Sequence, residues 1–303
     1  MSWDRASLST EVARSLFRDE WDDFERGRSR PFFRGSVTRE AERPPGLPLD
    51  ELSRRPKRGG DGNDGQSWAP ATGLPPSTDA YRLLPRYRKG DRKIAAGRDL
   101  FSIGETNTAI FNLLSGWVAI YTLLEDGRRQ IVHFALPGAV MGMPTSKGAQ
   151  VSYSAQALTE VVVSVIPSTV LSAASRDDPE MSMRLASALA RDTSMAYDHM
   201  TSIGRRTARE RVAHLLLELF TRYRAQWPGD RIEEMAIPLT QEQIGDATGL
   251  TFVHVNRVLA TLRKEKIVHF HYRRLRILDP DRLIEVAGVD PQTAMSWFQR
   301  RSV

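Results

Sequence analysis

Asn256 and Arg257 stand side by side, with Phe252 and Val253 one helical turn before them. An amide that both donates and accepts, a guanidinium fork and two bare apolar side chains are the groups that read base edges in a major groove. The arrangement needs a helix whose opposite face is buried. After Thr251 the apolar residues Val255, Val258, Leu259 and Leu262 recur at helical spacing, leaving Phe252, Val253, Asn256 and Arg257 mostly on the other side. Just upstream, Thr240 with Gln243 three positions on fits a capping box, Ile244 and Ala247 give a first helix its inner side, and Gly249 supplies a turn. The segment 240–264 therefore reads as a helix-turn-helix. Short helix pairs of this kind also occur in folds that bind nothing, so the surrounding charge has to be weighed.

From Thr251 to Leu278 there are seven Lys/Arg against one acid, Glu265. Two alternating runs, Ile267 to His271 and Leu275 to Leu278, are joined by Tyr272-Arg273-Arg274 and predict a hairpin with a cationic tip. Thr240, Thr251, His254, Arg263, Arg273 and Arg274 are the candidates for phosphate contacts, Thr251 because it caps the second helix beside one. The basic excess lies where such a helix pair would meet a polyanion.

The whole chain has 303 residues, enough for two domains and more, with 41% hydrophobic residues, net charge +6 and pI near 9.8. No run approaches the roughly 20 apolar residues of a membrane span, and no signal sequence opens the chain, so a soluble, cytoplasmic protein with no membrane partner is expected. There is no cysteine, which excludes disulfides, cysteine-ligated iron–sulfur clusters, zinc fingers and thiol chemistry. No other His, Ser and Asp spacing suggests catalysis or a metal site, and a non-enzyme is expected.

Residues 1–78 read as a disordered extension: the first 77 hold 8 of the 17 prolines, 8 of the 21 glycines and 13 Lys/Arg against 13 Asp/Glu. Within them, Val12, Leu16, Phe17, Trp21 and Phe24 line one side of a short helix over 9–26. Over 79–174 short apolar runs broken by glycine take over. Arg92 to Phe101, Ala109 to Leu114, Trp117 to Leu124, Gln130 to Phe134, Gln150 to Leu158 and Glu160 to Ile166 predict strands, with turns at Glu125-Asp126-Gly127-Arg128 and Pro137-Gly138. Many short strands argue for an antiparallel β-roll, a cupin-like jelly roll of about eight strands whose interior suits a small ligand. Over 175–204 Met181, Leu185, Leu189, Met195 and His199 recur at helical spacing and predict a long helix ended by Gly204. Their narrow Met/Ala/Leu seam suits pairing with a copy of itself. Thr207 then opens a core-facing helix carrying Val212, Leu215, Leu216, Leu219 and Phe220, the first part of a winged domain over 205–290 that is followed by a tail over 291–303. The fold class is α+β.

This order of roll, long helix and winged helix resembles the Crp/Fnr family of bacterial transcription regulators over roughly 83–289, with FNLLSGWVAIYTLLEDGRRQIVHFALPGAVMG, GRRTARERVAHLLLEL and LTQEQIGDATGLTFVHVNRVLATLRK as its marks. The resemblance implies a homodimer on two-fold-symmetric double-stranded DNA, a sensor roll, a coupling helix and RNA polymerase as partner. It also exposes departures. Family members that bind cyclic AMP carry a Gly-Glu pair and an Arg-Ser pair in the roll; the matching places here are Gly142-Met143 and Val151-Ser152, beside Met141. Losing the carboxylate and the guanidinium removes the ribose acceptor and the phosphate's counter-charge, so cyclic AMP is not the expected ligand. Many relatives place Glu at the position of Val253 and Ser or Gly at that of Asn256, which implies a different half-site. No cofactor is expected: the cluster of the oxygen-sensing branch lacks its cysteines, and a haem on His133 is disfavoured because a lone strand histidine is more often structural. Two other readings remain: a metal-dependent cupin enzyme, which needs a second histidine beside His133, and a small-ligand module regulating a protein partner with no specific DNA site.

Overall fold

The computed structural model describes residues 87–143, 149–170, 176–224 and 234–289. The expectations for 1–78, for the helix over 9–26 and for the tail over 291–303 lie outside the described residues.

Eight strands form the first unit: β1 (Gly90–Ile94), β2 (Asp99–Phe101), β3 (Ala109–Ser115), β4 (Val118–Leu123), β5 (Arg129–Ala135), β6 (Val140–Met141), β7 (Ser154–Ala157) and β8 (Val161–Pro167). They make two antiparallel four-stranded sheets, ordered β1-β8-β3-β6 and β2-β7-β4-β5. Phe101, Phe111, Leu113, Val118, Ala155 and Val163 are buried between them. The single strand expected over Arg92–Phe101 is two, because the chain leaves the first sheet at Ile94 and joins the second at Asp99. Gly97, with φ 80°, takes the corner between them.

Helix α1 (Pro179–Arg205) has 27 residues, about 40 Å at 1.5 Å each. Asp178 caps it by accepting a hydrogen bond from the Met181 amide, and Pro179 sits where the missing N–H costs nothing. Gly204 does not end the helix. It lies within the last turn, and the chain leaves at Arg206 in extended conformation with its N–H still donating to the Ser202 carbonyl. One glycine costs a helix only about 1 kcal/mol, which continued packing readily offsets.

Helix α2 (Ala208–Arg224) opens at Thr207, whose N–H donates to the Glu210 carboxylate while the Glu210 N–H donates to the Thr207 hydroxyl. After it come β9 (Met235–Ala236), α3 (Gln241–Thr248), α4 (Phe252–Lys264), β10 (Val268–His271), β11 (Arg274–Ile277) and α5 (Pro280–Ala287). The wing is a three-stranded sheet, β10-β11-β9, one strand more than the two alternating runs expected from sequence. A two-residue strand carries no period to detect, and β9 exists only through its pairing of Met235 with Leu275 and Ala236 with Arg274. The wing turn is Tyr272-Arg273, both at positive φ (47° and 61°), so Arg274 belongs to β11 and pairs with His271.

The roll and the winged domain share one core. Trp117 just before β4, Ala119, Tyr121, Ile131 and Phe134 on β4 and β5, and Leu136 just after β5 join Leu216, Phe220, Ile244 and Leu262 in a single buried cluster. The winged domain is therefore held against the outer face of its own roll.

Candidate nucleic-acid interface

Two glycines set the angle of the helix pair. Gly249 ends α3 with φ 66°, and its N–H donates to the Gly245 carbonyl. Gly245 itself has an ordinary backbone, but a Cβ there would lie 2.5 Å from the Leu250 carbonyl oxygen, so the return of the chain passes directly over it. Thr240 and Gln243 form the full capping box, with bonds of 3.1 Å and 2.9 Å. Thr251 caps α4 by accepting from the His254 amide at 3.3 Å. Each threonine oxygen is committed to its helix, which leaves its hydroxyl proton free for a phosphate oxygen.

Val255, Val258, Leu259 and Leu262 are buried along α4, as their spacing predicts. Opposite them the structure brings Phe252, Val253, His254, Asn256 and Arg257 together on one open face, with Phe252 54% and Val253 62% exposed. Large apolar side chains left this bare beside a guanidinium suit contact with thymine methyl groups. Arg263 is exposed two turns past Asn256 on the same side of the helix. Arg273 is exposed at the wing turn, and Arg274 reaches the exposed carboxylate of Glu234 at 3.4 Å. On the β10–β11 ladder His269 faces Arg276 and His271 faces Arg274, so one face of the wing carries four nitrogen-bearing side chains. The two imidazoles, with ring centres 6.0 Å apart, and Tyr272 at the tip were not singled out by sequence, although the i, i+2 spacing of the histidines was available as a signal.

Beside the candidate effector residues lies an aromatic cluster of the roll. Phe101 stacks on Phe111 at 5.7 Å and meets Tyr153 edge-on at 5.5 Å. Gly142, with φ 73°, donates its N–H to the Tyr153 hydroxyl at 3.0 Å, and a Cβ on it would strike the Asn107 amide. Met141 and Val151 are buried, Met143 is half-buried and Ser152 faces outward.

The five residues expected on the pairing seam of α1 are covered, wholly or in part, by their own chain. Met181 and Leu185 are buried against Ile110, Val140 and Ile166 of their own roll, with Leu189 half-buried beside them. Met195 and His199 line a small cavity with His133, Leu215, Glu218 and Ala247, in which there is room for about one water molecule. A regular 3.6 period does not say which neighbour a face meets, and here the roll takes that face. The stripe left exposed is Met183, Ala186, Ala190, Thr193, Tyr197, Met200 and Gly204, spaced alternately by three and four.

That small cavity is where β5, α1, α2 and α3 converge. Burial holds the His133 ring well below the ordinary imidazole range, and Arg222 and His199 push the same way. Burial also lowers His199, outweighing Glu218 and the Ile131 and Ala247 carbonyls, which favour its charged form. The Nε2 atoms of both rings are buried without a hydrogen-bond partner. A cavity of this size excludes a porphyrin, so His133 does not fit a haem ligand. Among the described residues no group of three His, Cys, Asp or Glu is placed to hold a metal. Nearby, Asp198 accepts from His214 at 2.7 Å; its burial raises its pKa, but that bond and the charges of His214 and Arg206 bring the net value below the usual carboxylate range. Arg129 on β5 pairs with Asp246 on α3 at 2.7 Å, and Gln130 donates to the Ala247 carbonyl.

A β-roll fused through a long helix to a winged helix-turn-helix with an open reading face defines a DNA-binding transcription regulator with a sensor-type domain. A cyclic nucleotide-binding domain model matches residues 91–178 and a Crp-like helix-turn-helix domain model matches residues 210–286. The chain is 32% identical over 213 residues to the nitrogen fixation regulation protein FixK of Bradyrhizobium diazoefficiens, covering 70% of this chain and 88% of that one. It is 34% identical over 207 residues to the transcriptional activatory protein AadR of Rhodopseudomonas palustris, covering 68% and 83%. The solved structure of FixK2 from Bradyrhizobium japonicum superposes with a TM-score of 0.60 at 30% identity over 66% of this chain and 98% of that one. The chain belongs to the Crp/Fnr family of transcription regulators. Having no cysteine, it holds no iron–sulfur cluster of the Fnr type; its family is one of transcription regulators, not enzymes.

Proposed function

We propose that this chain is a cytoplasmic homodimer that binds a two-fold-symmetric operator and acts on transcription through RNA polymerase. The observation that carries the reading is the open face of α4, where Arg257 and Asn256 are exposed together with apolar Phe252 and Val253, in a domain whose wing exposes Arg273 and Arg274. Arg257 takes guanine by a bidentate contact, Asn256 takes adenine, and Phe252 or Val253 meets a thymine methyl. Thr240, Thr251, His254, Arg263, Arg273 and Arg274 fix the register on phosphates. The similar proteins are named as regulators, which supports the same role here.

The dimer forms along the exposed stripe of α1. Its three-four spacing is that of a two-stranded coiled coil, and its small residues Ala186, Ala190 and Gly204 permit close approach of two helices. The roll acts without cyclic AMP: its interior is filled by Phe101, Phe111 and Tyr153, and Met143 and Val151 stand where a carboxylate and a guanidinium would be needed. Gel shift of the full chain on genomic fragments tests the reading. Ligand-free binding that weakens steeply with salt supports it; no shift on any fragment under any condition would favour instead a module that regulates a protein partner.

A further inference from the structure

Gln241 is the first residue of α3 and Asn256 lies in the second turn of α4, yet the Asn256 amide nitrogen donates to the Gln241 side-chain oxygen at 3.1 Å. It is a hydrogen bond between side chains of the two helices, and it ends on a residue of the open face. Asn256 is exposed and Gln241 half-buried, so the pair sits at the rim of that face. The bond has a chemical consequence. A free asparagine amide turns easily about its last torsion, and its two ends differ only in being acceptor or donor. Turned one way it offers an oxygen to a base that carries an exocyclic amine; turned the other way it offers N–H groups to guanine or to the thymine oxygen. In the orientation the structure shows, Gln241 takes one Asn256 N–H, which leaves Oδ1 and the second N–H for the base edge. The helices cannot slip to break the pair, because Gly245 holds the chain at Leu250 in close contact and Gly249 fixes the turn.

We propose that Gln241 is a positioning residue for specificity: by holding the Asn256 amide it commits that residue to an amine-bearing base, adenine foremost, at one position of each half-site. The inference rests on the base-reading role of α4. Gln241 acts through Asn256 and needs no base contact of its own.

Selection of duplexes from a random pool by the full chain, followed by sequencing, tests it with Asn256→Ala, Gln241→Ala, Gln241→Glu and the double variant Gln241→Ala/Asn256→Ala. The expected result is that Gln241→Ala lowers base preference about fivefold at the position that Asn256→Ala erases, while the position erased by Arg257→Ala keeps its preference. Gln241→Glu, whose carboxylate only accepts, restores that preference even though its charge weakens binding overall. In the double variant Gln241→Ala adds nothing to Asn256→Ala. Equal weakening on all sequences, with the preference intact, would make Gln241 a phosphate contact and overturn the proposal while leaving α4 as the reader. If the unaltered chain selects no sequence at all, the base-reading role itself fails, and this inference with it.

Discussion

Arg257 and Arg274 are both exposed arginines in the winged domain, but their surroundings assign them different work. Arg257 stands on the open face of α4; Arg274 stands on the wing strand opposite His271, 3.4 Å from the Glu234 carboxylate. Arg257→Ala is expected to cost about 1–3 kcal/mol on the selected duplex and little on random duplex, read by fluorescence anisotropy. Arg274→Ala is expected to weaken both alike and to reduce the slope of log K against log salt by about 1. Equal losses on both duplexes for Arg257→Ala would contradict base reading. At this scale the sequence was informative wherever residue type alone limits the chemistry: Asn256, Arg257 and the capping threonines could be named because few side chains do those jobs. It was silent on Gly245 and Gln241. Gly245 looks like any helical glycine until the Leu250 carbonyl is placed against it, and the Gln241–Asn256 bond spans two helices whose crossing angle no spacing reports.

At the scale of elements, α1 is the instructive case. Its existence was legible from an unbroken helical pattern, but its two apolar stripes compete, and only packing against the roll decides which one stays inside. Ala190→Arg should therefore break the dimer in analytical ultracentrifugation. Met181→Ala should leave it dimeric while lowering stability by about 2–5 kcal/mol through the cavity it opens against Ile110 and Ile166. The reverse result would return the seam to Met181, Leu185 and Met195. The joint between β5, α1, α2 and α3 makes a second prediction. His133 and His199 stay neutral in the folded chain, while in the unfolded chain they take a proton near pH 6.5. The unfolded state thus binds more protons below that pH, so stability falls as pH drops from about 6.5, and these two groups add no pH dependence above it. Denaturant titrations at pH 7.5 and 5.5 should show this loss, and His133→Phe should shrink it; an unchanged acid loss in the variant would place its source elsewhere.

For the whole molecule, the order of roll, helix and winged domain was readable because each has its own period and punctuation: short runs with glycine turns, then an unbroken helical stretch, then capped short helices and an alternating hairpin. The shared core was not readable. Ala119 and Tyr121 on β4 and Ile131 on β5 alternate with less buried neighbours like any half-buried face, and nothing in that pattern says that α2 and α3 cover them rather than solvent. Arg129–Asp246 and the Gln130 bond tie the first helix of the pair to the roll of the same chain. Two such helices, joined along α1, are expected to act on one symmetric site, and sequencing the duplexes that the full chain selects from a random pool decides it. The expected outcome is an inverted repeat, its half-sites about one helical turn or 10 base pairs apart, each half with one guanine and one adenine position erased by Arg257→Ala and Asn256→Ala respectively. A single unrepeated half-site, or no shared sequence among the selected duplexes, would contradict it.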